Sequence, residues 1–180
     1  MFVIHDIKSF FRIELLLYLN KGKLNIGQNV KFGQLSEVVF DKTDVLVRIG
    51  NKVNARKMFR LYCGNNGTLT IGNNVFFNNS CSINCMESIT IGNDCQFGEN
   101  VKMYDHNHAY KNKALPINQQ GYVSGAITIG NNCWIGSNVT ILRNVQIGNN
   151  VVVGAGCVVA KSIPDNTVVV HQQNLHSFSY

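Results

Sequence analysis

Large apolar residues recur every six positions over an unbroken stretch of this chain: Ile129-Gly130, Ile135-Gly136, Ile141-Leu142, Ile147-Gly148, Val153-Gly154 and Val159-Ala160. An α-helix cannot use that period, because 3.6 residues per turn rotates positions six apart off any common face. Short strands that turn a corner after every sixth residue can. One large apolar residue then points inward on each flat, and a small residue four positions later fills the corner. Gly or Asn supplies the positive φ that the corner needs. Three flats per turn close a triangular prism, and the 18-residue separation of Ile129 and Ile147 matches one full coil. Stacked coils then hydrogen-bond edge to edge at about 4.8 Å. The fold class expected is all-β, a parallel β-helix of hexapeptide repeats. An ordinary β-sandwich would not hold so strict a period.

The unit continues upstream as Ile91-Gly92, Phe97-Gly98 and Met103-Tyr104, and as Ile71-Gly72, Phe77-Asn78 and Ile83-Asn84. Ile26-Gly27, Phe32-Gly33 and Ile49-Gly50 are fainter starts. Ile71 and Ile91 are 20 apart, which predicts a two-residue extrusion around Met86-Glu87. Ile91 and Ile129 are 38 apart, one coil plus 20 residues that must leave the prism as a loop at about 104–126. Residues 1–23 lack the period. Phe10, Phe11, Ile13, Leu15 to Leu17 and Leu19, with Lys8, Arg12 and Glu14, read as a short helix. It either caps the open first coil or lies on the inner membrane surface through residues 1–20. The β-helix is expected over 24–170, with a tail at 171–180.

Composition narrows the class. With 45% hydrophobic and 14% charged residues among 180, the chain is neither disordered nor low-complexity. Ile13 to Leu19, interrupted by Glu14, falls short of the ~20 apolar residues of a membrane span. A net charge of +6 without a dense basic run favours anionic small molecules over nucleic acid. Of the six cysteines, Cys81, Cys95, Cys133 and Cys157 each fall four residues after a large apolar residue. Val30, Val75, Val101, Val139, Val145 and Val151 hold the same slot elsewhere, so cysteine replaces a small core hydrophobe. Reduced thiols of that kind imply a cytoplasmic protein. The Asn-x-Ser/Thr sequons at Asn66, Asn78 and Asn138 then follow from Asn-rich corners.

The run Ile129-Gly-Asn-Asn-Cys-Trp-Ile-Gly-Ser-Asn-Val-Thr-Ile, with Val-Gly-Ala-Gly-Cys-Val-Val-Ala-Lys-Ser-Ile-Pro-Asp-Asn-Thr-Val-Val after it, resembles the hexapeptide-repeat acyltransferases. The similarity spans about 24–170 and is most specific over 127–168. It implies a left-handed β-helix, a homotrimer with active sites between subunits, and acetyl-CoA as donor. Among its branches the chain looks most like the galactoside, maltose and exopolysaccharide O-acetyltransferases. The segment Tyr104-Asp-His-Asn-His-Ala-Tyr110 is similar to that of members acting on capsule, O-antigen or other surface glycans.

Laid without a gap from Phe76 to His108 on the galactoside enzymes, His108 falls on the catalytic histidine and Asn78 on an acceptor-contacting asparagine. Trp134, Ser137, Ala155 and Lys161 fall on positions lining the coenzyme groove. The acidic acceptor-contacting position is Met86 here, with Glu87 beside it, so acceptor identity does not carry over. The family's Gly-x-Pro-Ala ending is replaced by His171-Gln-Gln-Asn174, and its basic residues near the 3′-phosphate fall on Leu175 and Phe178. Lys161 is left to carry phosphate contact nearly alone.

The chemistry fits these residue types. Transfer from a thioester to a hydroxyl needs a base, because an alcohol is a poor nucleophile at neutral pH, and imidazole suits the task. His108 and His106 are the candidates. Asp105 either orients one imidazole, beside the acceptor, or merely opens the loop as a turn residue. No nucleophile elbow or activated cysteine points to an acyl-enzyme. The remaining histidines, His5, His171 and His176, lie in the tails, so no metal site is expected, and the zinc-dependent carbonic anhydrase of related shape, which needs three histidines, is disfavoured. Trp134, the single tryptophan, should point outward, onto the pantetheine arm or a facing subunit.

The function expected is acetyl transfer to a sugar hydroxyl of a surface polysaccharide or its precursor, at the cytoplasmic side. The alternatives are a small-molecule acetyltransferase for antibiotics or free sugars, and a non-catalytic scaffold. An ice-binding scaffold would carry ladders of Thr-x-Thr, whereas Thr128, Thr140 and Thr167 are scattered.

Overall fold

The computed structural model describes residues 22–40 and 44–172. They form a left-handed parallel β-helix of about six turns with three flat faces. The first face stacks Leu24–Ile26, Leu46–Ile49, Thr68–Ile71, Ser88–Ile91, Ile127–Ile129 and Gln146–Ile147. On the second, Lys31–Phe32, Asn54–Ala55, Phe76–Phe77, Gln96–Phe97, Trp134–Ile135, Val152–Val153 and Val168–Val169 follow one another. The third carries Glu37–Phe40, Arg60–Cys63, Ser82–Cys85, Lys102–Tyr104, Thr140–Leu142 and Val158–Val159. The helical segment expected within 1–23 and most of the 171–180 tail lie outside the described residues.

The registers follow the periods in the sequence. Ile71 pairs with Ile91, Ile91 with Ile129, and Ile129 with Ile147. Each inward residue therefore stacks on its equivalent one coil away, and the interior is one continuous apolar column. Phe77 and Phe97 stack with ring centroids 4.7 Å apart, and Phe59 and Phe77 lie 5.0 Å apart. Phe59 occupies a corner slot that Val or Cys fills in other coils, while Ala55 takes the preceding flat position; both are 1% exposed. Large and small have exchanged places within one coil, which conserves core volume.

All six cysteines are buried and free; Cys81, Cys95, Cys133 and Cys157 fill corner slots, and Cys63 pairs in register with Cys85 on the third face. Cys81 donates to the Gly98 carbonyl at 3.1 Å, and burial pushes its thiol up to about 11. Cys85, beside Cys63, and Cys95, beside Cys133, are pushed up by hydrogen bonding to that neighbour and by burial. Cys133, the acceptor of the Cys95 hydrogen bond, is lowered by that bond to about 7 while remaining 2% exposed.

The three edges of the prism differ. From the first face to the second, and from the second to the third, the inward residues keep their six-residue spacing in coil after coil. The edge that returns from the third face to the first absorbs every irregularity. It holds Gly64–Gly67, the Met86-Glu87 extrusion and the whole 105–125 excursion. Ile26 pairs with Ile49 and Ile49 with Ile71, so the first coils are also longer than 18 residues.

Corner chemistry explains the regular edges. Asn74, Asp94, Asn132 and Asn150 adopt φ of 54–59°, a conformation that Asn and Asp tolerate better than most residues. Beside them, Asn51, Asn73, Asn93, Asn131 and Asn149 form a ladder along the first edge. Each side-chain oxygen accepts the backbone N–H one coil before it, at 2.7–2.8 Å. Asp165 ends the ladder, accepting from Asn149 N.

Candidate active site

The excursion at the third edge is an ordered hairpin. His106–His108 pairs antiparallel with Tyr122–Ser124, with His106 opposite Ser124 and His108 opposite Tyr122. Gly125 N donates to the Asp105 carbonyl at 2.7 Å and closes the base of the hairpin. At the tip, the Gln120 side chain bonds Asn112 N and O and Leu115 O, next to a 3₁₀ turn at Ile117–Gln119. The loop leaves and returns where the 38-residue spacing requires.

Asp105 is the hub of the corner. It is fully buried, and its carboxylate accepts Met86 N, Glu87 N and Ser88 N at 2.8–3.0 Å. The same carboxylate lies 3.0 Å from His106 Nδ1. The two-residue extrusion thus presents a nest of N–H donors that satisfies the buried carboxyl group. With Nδ1–H donated to Asp105, His106 keeps Nε2 as a proton acceptor. Met86 is half-buried and Glu87 exposed, and both serve the site through their backbone. Asp105, expected beside the acceptor, is turned into the protein, its carboxylate holding the corner and His106.

Residues two apart in a strand share a face, so the hairpin presents His106 and His108 together. The Tyr122 ring contacts both, edge-on to His106 at 5.3 Å and tilted against His108 at 4.7 Å. His106 is mostly covered, with 16% of its side chain exposed, whereas His108 is exposed. His108 lines a cavity of about 560 Å³, together with Asn107, Lys111, Val123 and Arg143.

The other expected residues lie elsewhere on the same chain. Asn78, Ser137 and Ala155 sit at the second edge. Asn78 Oδ1 accepts Arg56 Nη1 at 3.3 Å and Asn79 N at 2.9 Å, and Ser137 Oγ accepts Glu99 N at 3.1 Å. Trp134 points outward from the second face and is 59% exposed. Lys161 is exposed at the third edge, one coil beyond Arg143. The chain therefore divides the expected set between two edges. Asp105, His106, His108, Met86, Glu87 and Lys161 lie on one, and Asn78, Ser137, Ala155 and the Trp134 face on the other.

Tyr122 and Arg143 are additions that sequence reasoning missed. Arg143 carried a signal nonetheless, as the single charged residue between 127 and 160. Among the described residues, no group of three His, Cys, Asp or Glu side chains is placed to hold a metal ion.

Comparison with known proteins settles the family. Residues 126–161 match the family model "Bacterial transferase hexapeptide (six repeats)". The Escherichia coli protein WbbJ, named for lipopolysaccharide biosynthesis as an O-acetyl transferase, is 36% identical over 71% of this chain and 69% of its own length. The chain belongs to the hexapeptide-repeat acyltransferases. Two further relatives, named as acetyltransferases, match over about half of their own length.

Solved structures of hexapeptide-repeat acyltransferases share the fold. AntD, an N-acyltransferase of Bacillus cereus crystallised with a dTDP-linked amino sugar and coenzyme A, superposes with a TM-score of 0.68 at 20% identity, over 88% of this chain and 84% of that one. A hexapeptide-repeat acetyltransferase of Vibrio cholerae, complexed with acetyl coenzyme A, gives 0.59 at 21% identity, over 94% and 75%.

Proposed function

We propose that this acyltransferase moves acetyl from acetyl-CoA to a sugar hydroxyl of a surface polysaccharide or its precursor, by direct transfer. The observation that carries the reading is the hairpin of the third edge, which holds two imidazoles on one face, with His108 at the rim of a cavity. The relationship to WbbJ supports a glycan acceptor. Acetyl-CoA as donor is supported by the family and by its place in the Vibrio cholerae structure. The proposed site of action is the cytoplasmic side of the membrane, in keeping with the buried, unpaired thiols.

In the reaction, His108 Nε2 or Nδ1 takes the hydroxyl proton as the oxygen attacks the thioester carbonyl. The C–S bond then breaks, and the coenzyme thiolate receives the proton from the imidazolium. His108 has this role because it is exposed at the cavity. The buried Asp105 fixes His106, and His106 with Tyr122 holds the His108 ring, so the base is positioned from below. Trp134, Ser137 and Ala155 would line the pantetheine arm, Lys161 would meet a coenzyme phosphate, and Asn78 would contact the acceptor.

These two sets occupy different edges of one prism, so a single chain does not complete the site. A second copy must bring its second edge to the first copy's hairpin, and rotation about a three-fold axis does so at all seams of a homotrimer at once. A bare scaffold has no use for this hairpin. A small free sugar or antibiotic as acceptor remains the alternative, distinguished by acceptor screening.

The test is steady-state transfer with purified protein. His108→Asn should lower kcat by ~10²–10⁴-fold, the span of general-base catalysis, with the thermal midpoint unchanged. His106→Asn should lower it less. The reverse order would assign the base to His106, and full activity in both variants would sink the mechanism.

A further inference from the structure

Arg143 stands out as a cation in the lining of the cavity beside His108. Its Nε is buried and has no hydrogen-bond partner among the described residues. The side chain lines the same cavity as His108, and no acidic residue joins Arg143, Lys111 and His108 in that lining. The hairpin adds none, since residues 106–126 contain two lysines and no Asp or Glu. Asp105, the buried carboxylate at the base of the hairpin, is already engaged by Met86, Glu87, Ser88 and His106. Half-buried Arg143, with its Nε shielded and no carboxylate in the lining around it, offers its N–H donors to an oxyanion from outside.

We infer that this cavity binds an anionic group of the acceptor, a carboxylate or a phosphate, on Arg143. The guanidinium fork fits both anions through paired N–H donors. A volume of about 560 Å³ is within the ~300–1,000 Å³ usual for small-molecule sites, ample for a sugar with its charged substituent. Because Arg143 and His108 line one cavity, an acceptor anchored by its anion presents a neighbouring hydroxyl to the base. Selectivity for charged sugars, rather than rate alone, is then set at this corner. The inference rests on the acetyltransferase reading and narrows its acceptor class.

Binding tests it without requiring transfer. The full chain, saturated with CoA, is titrated calorimetrically with glucose, glucuronate and glucose 1-phosphate. Expected is measurable binding of at least one anion and ten- to a hundredfold weaker binding of glucose, the range of a hydrogen-bonded charge. Glucuronate ahead of glucose 1-phosphate identifies a carboxylated sugar, and the reverse order a phosphorylated one. Arg143→Gln should abolish the preference and Arg143→Lys keep part of it, both with unchanged thermal midpoints and CoA affinity. Equal binding of glucose and the anions, no anion binding, or a preference that survives Arg143→Gln would overturn the inference. So would an Arg143→Gln protein whose defect is weakened CoA binding alone. Failure of acetyl transfer by wild type, with anion binding intact, would instead strike the acetyltransferase reading.

Discussion

The first and third edges of this prism are made of the same chain under the same stacking rule, yet they solve opposite problems. At the first edge every coil turns with the same spacing, and the Asn51 to Asn149 ladder repeats one contact at each step. At the third edge the chain departs from the prism repeatedly, and the contacts are made once each. Repetition spreads stability over many equivalent bonds. Singularity concentrates it in one buried carboxylate, and that is where the proposed chemistry lies. A repeat fold can afford a functional insertion only at an edge, because an insertion within a flat would shift the register of every inward residue on it.

The largest effect should come from breaking the third edge at its hub. Asp105→Ala removes the acceptor of three backbone N–H groups and the partner of His106 Nδ1. Buried donors left unpaired should cost about 3–5 kcal/mol of stability. Chemical denaturation measures it. Transfer activity should fall with it, since His106 loses the bond that fixes its tautomer. A stability loss below ~1 kcal/mol would mean that water replaces the carboxylate, and the contrast drawn between the edges would collapse.

How legible each edge was in the sequence follows from the same contrast. The prism, its coil length and the position of the excursion could all be read, because a six-residue period is redundant and survives local exceptions. Ile71, Ile91 and Ile129 announced their own pairing. The hub could not be read that way. Asp105 meets Met86, Glu87 and Ser88 across 17 to 19 residues, in a pattern that occurs once. Its carboxylate looked equally suited to a turn, an imidazole or a substrate. The Ala55–Phe59 exchange was likewise invisible to a rule that expects large residues on flats and small ones at corners. Arg143 was visible as an isolated charge, but only the cavity gives that isolation a meaning.

A smaller effect should appear at the second edge under alkaline conditions. Burial raises the Cys81 thiol from 9.0 to about 11. The neutral thiol is therefore favoured by folding, its contribution is full below pH 9, and it is lost as pH rises towards 11. The swing is about 2–3 kcal/mol. Cys81→Val places in this slot the residue that other coils use there, and stability should then fall less steeply between pH 9 and 11. An unchanged alkaline slope would show that other groups dominate that limb. The thiol's ordinary packing would then be its only contribution.

The smallest effect should come from the first edge, where the same kind of damage is diluted. Asn93 accepts Asn73 N at 2.7 Å and Asn73 Nδ2 at 3.1 Å, and donates its own Nδ2 to Asn131 at 3.1 Å. All three groups are exposed, so water can take over when Asn93→Ala removes the rung, and the loss should be about 1 kcal/mol. Asn131→Ala should cost the same within error, because its rung has the same geometry towards Asn149. The double variant should cost less than the sum, since the two side chains share the bond between them. Strict additivity would mean that the rungs act as separate corner contacts with no ladder between them. A single-rung loss as large as that of Asp105→Ala would make the first edge as concentrated as the third.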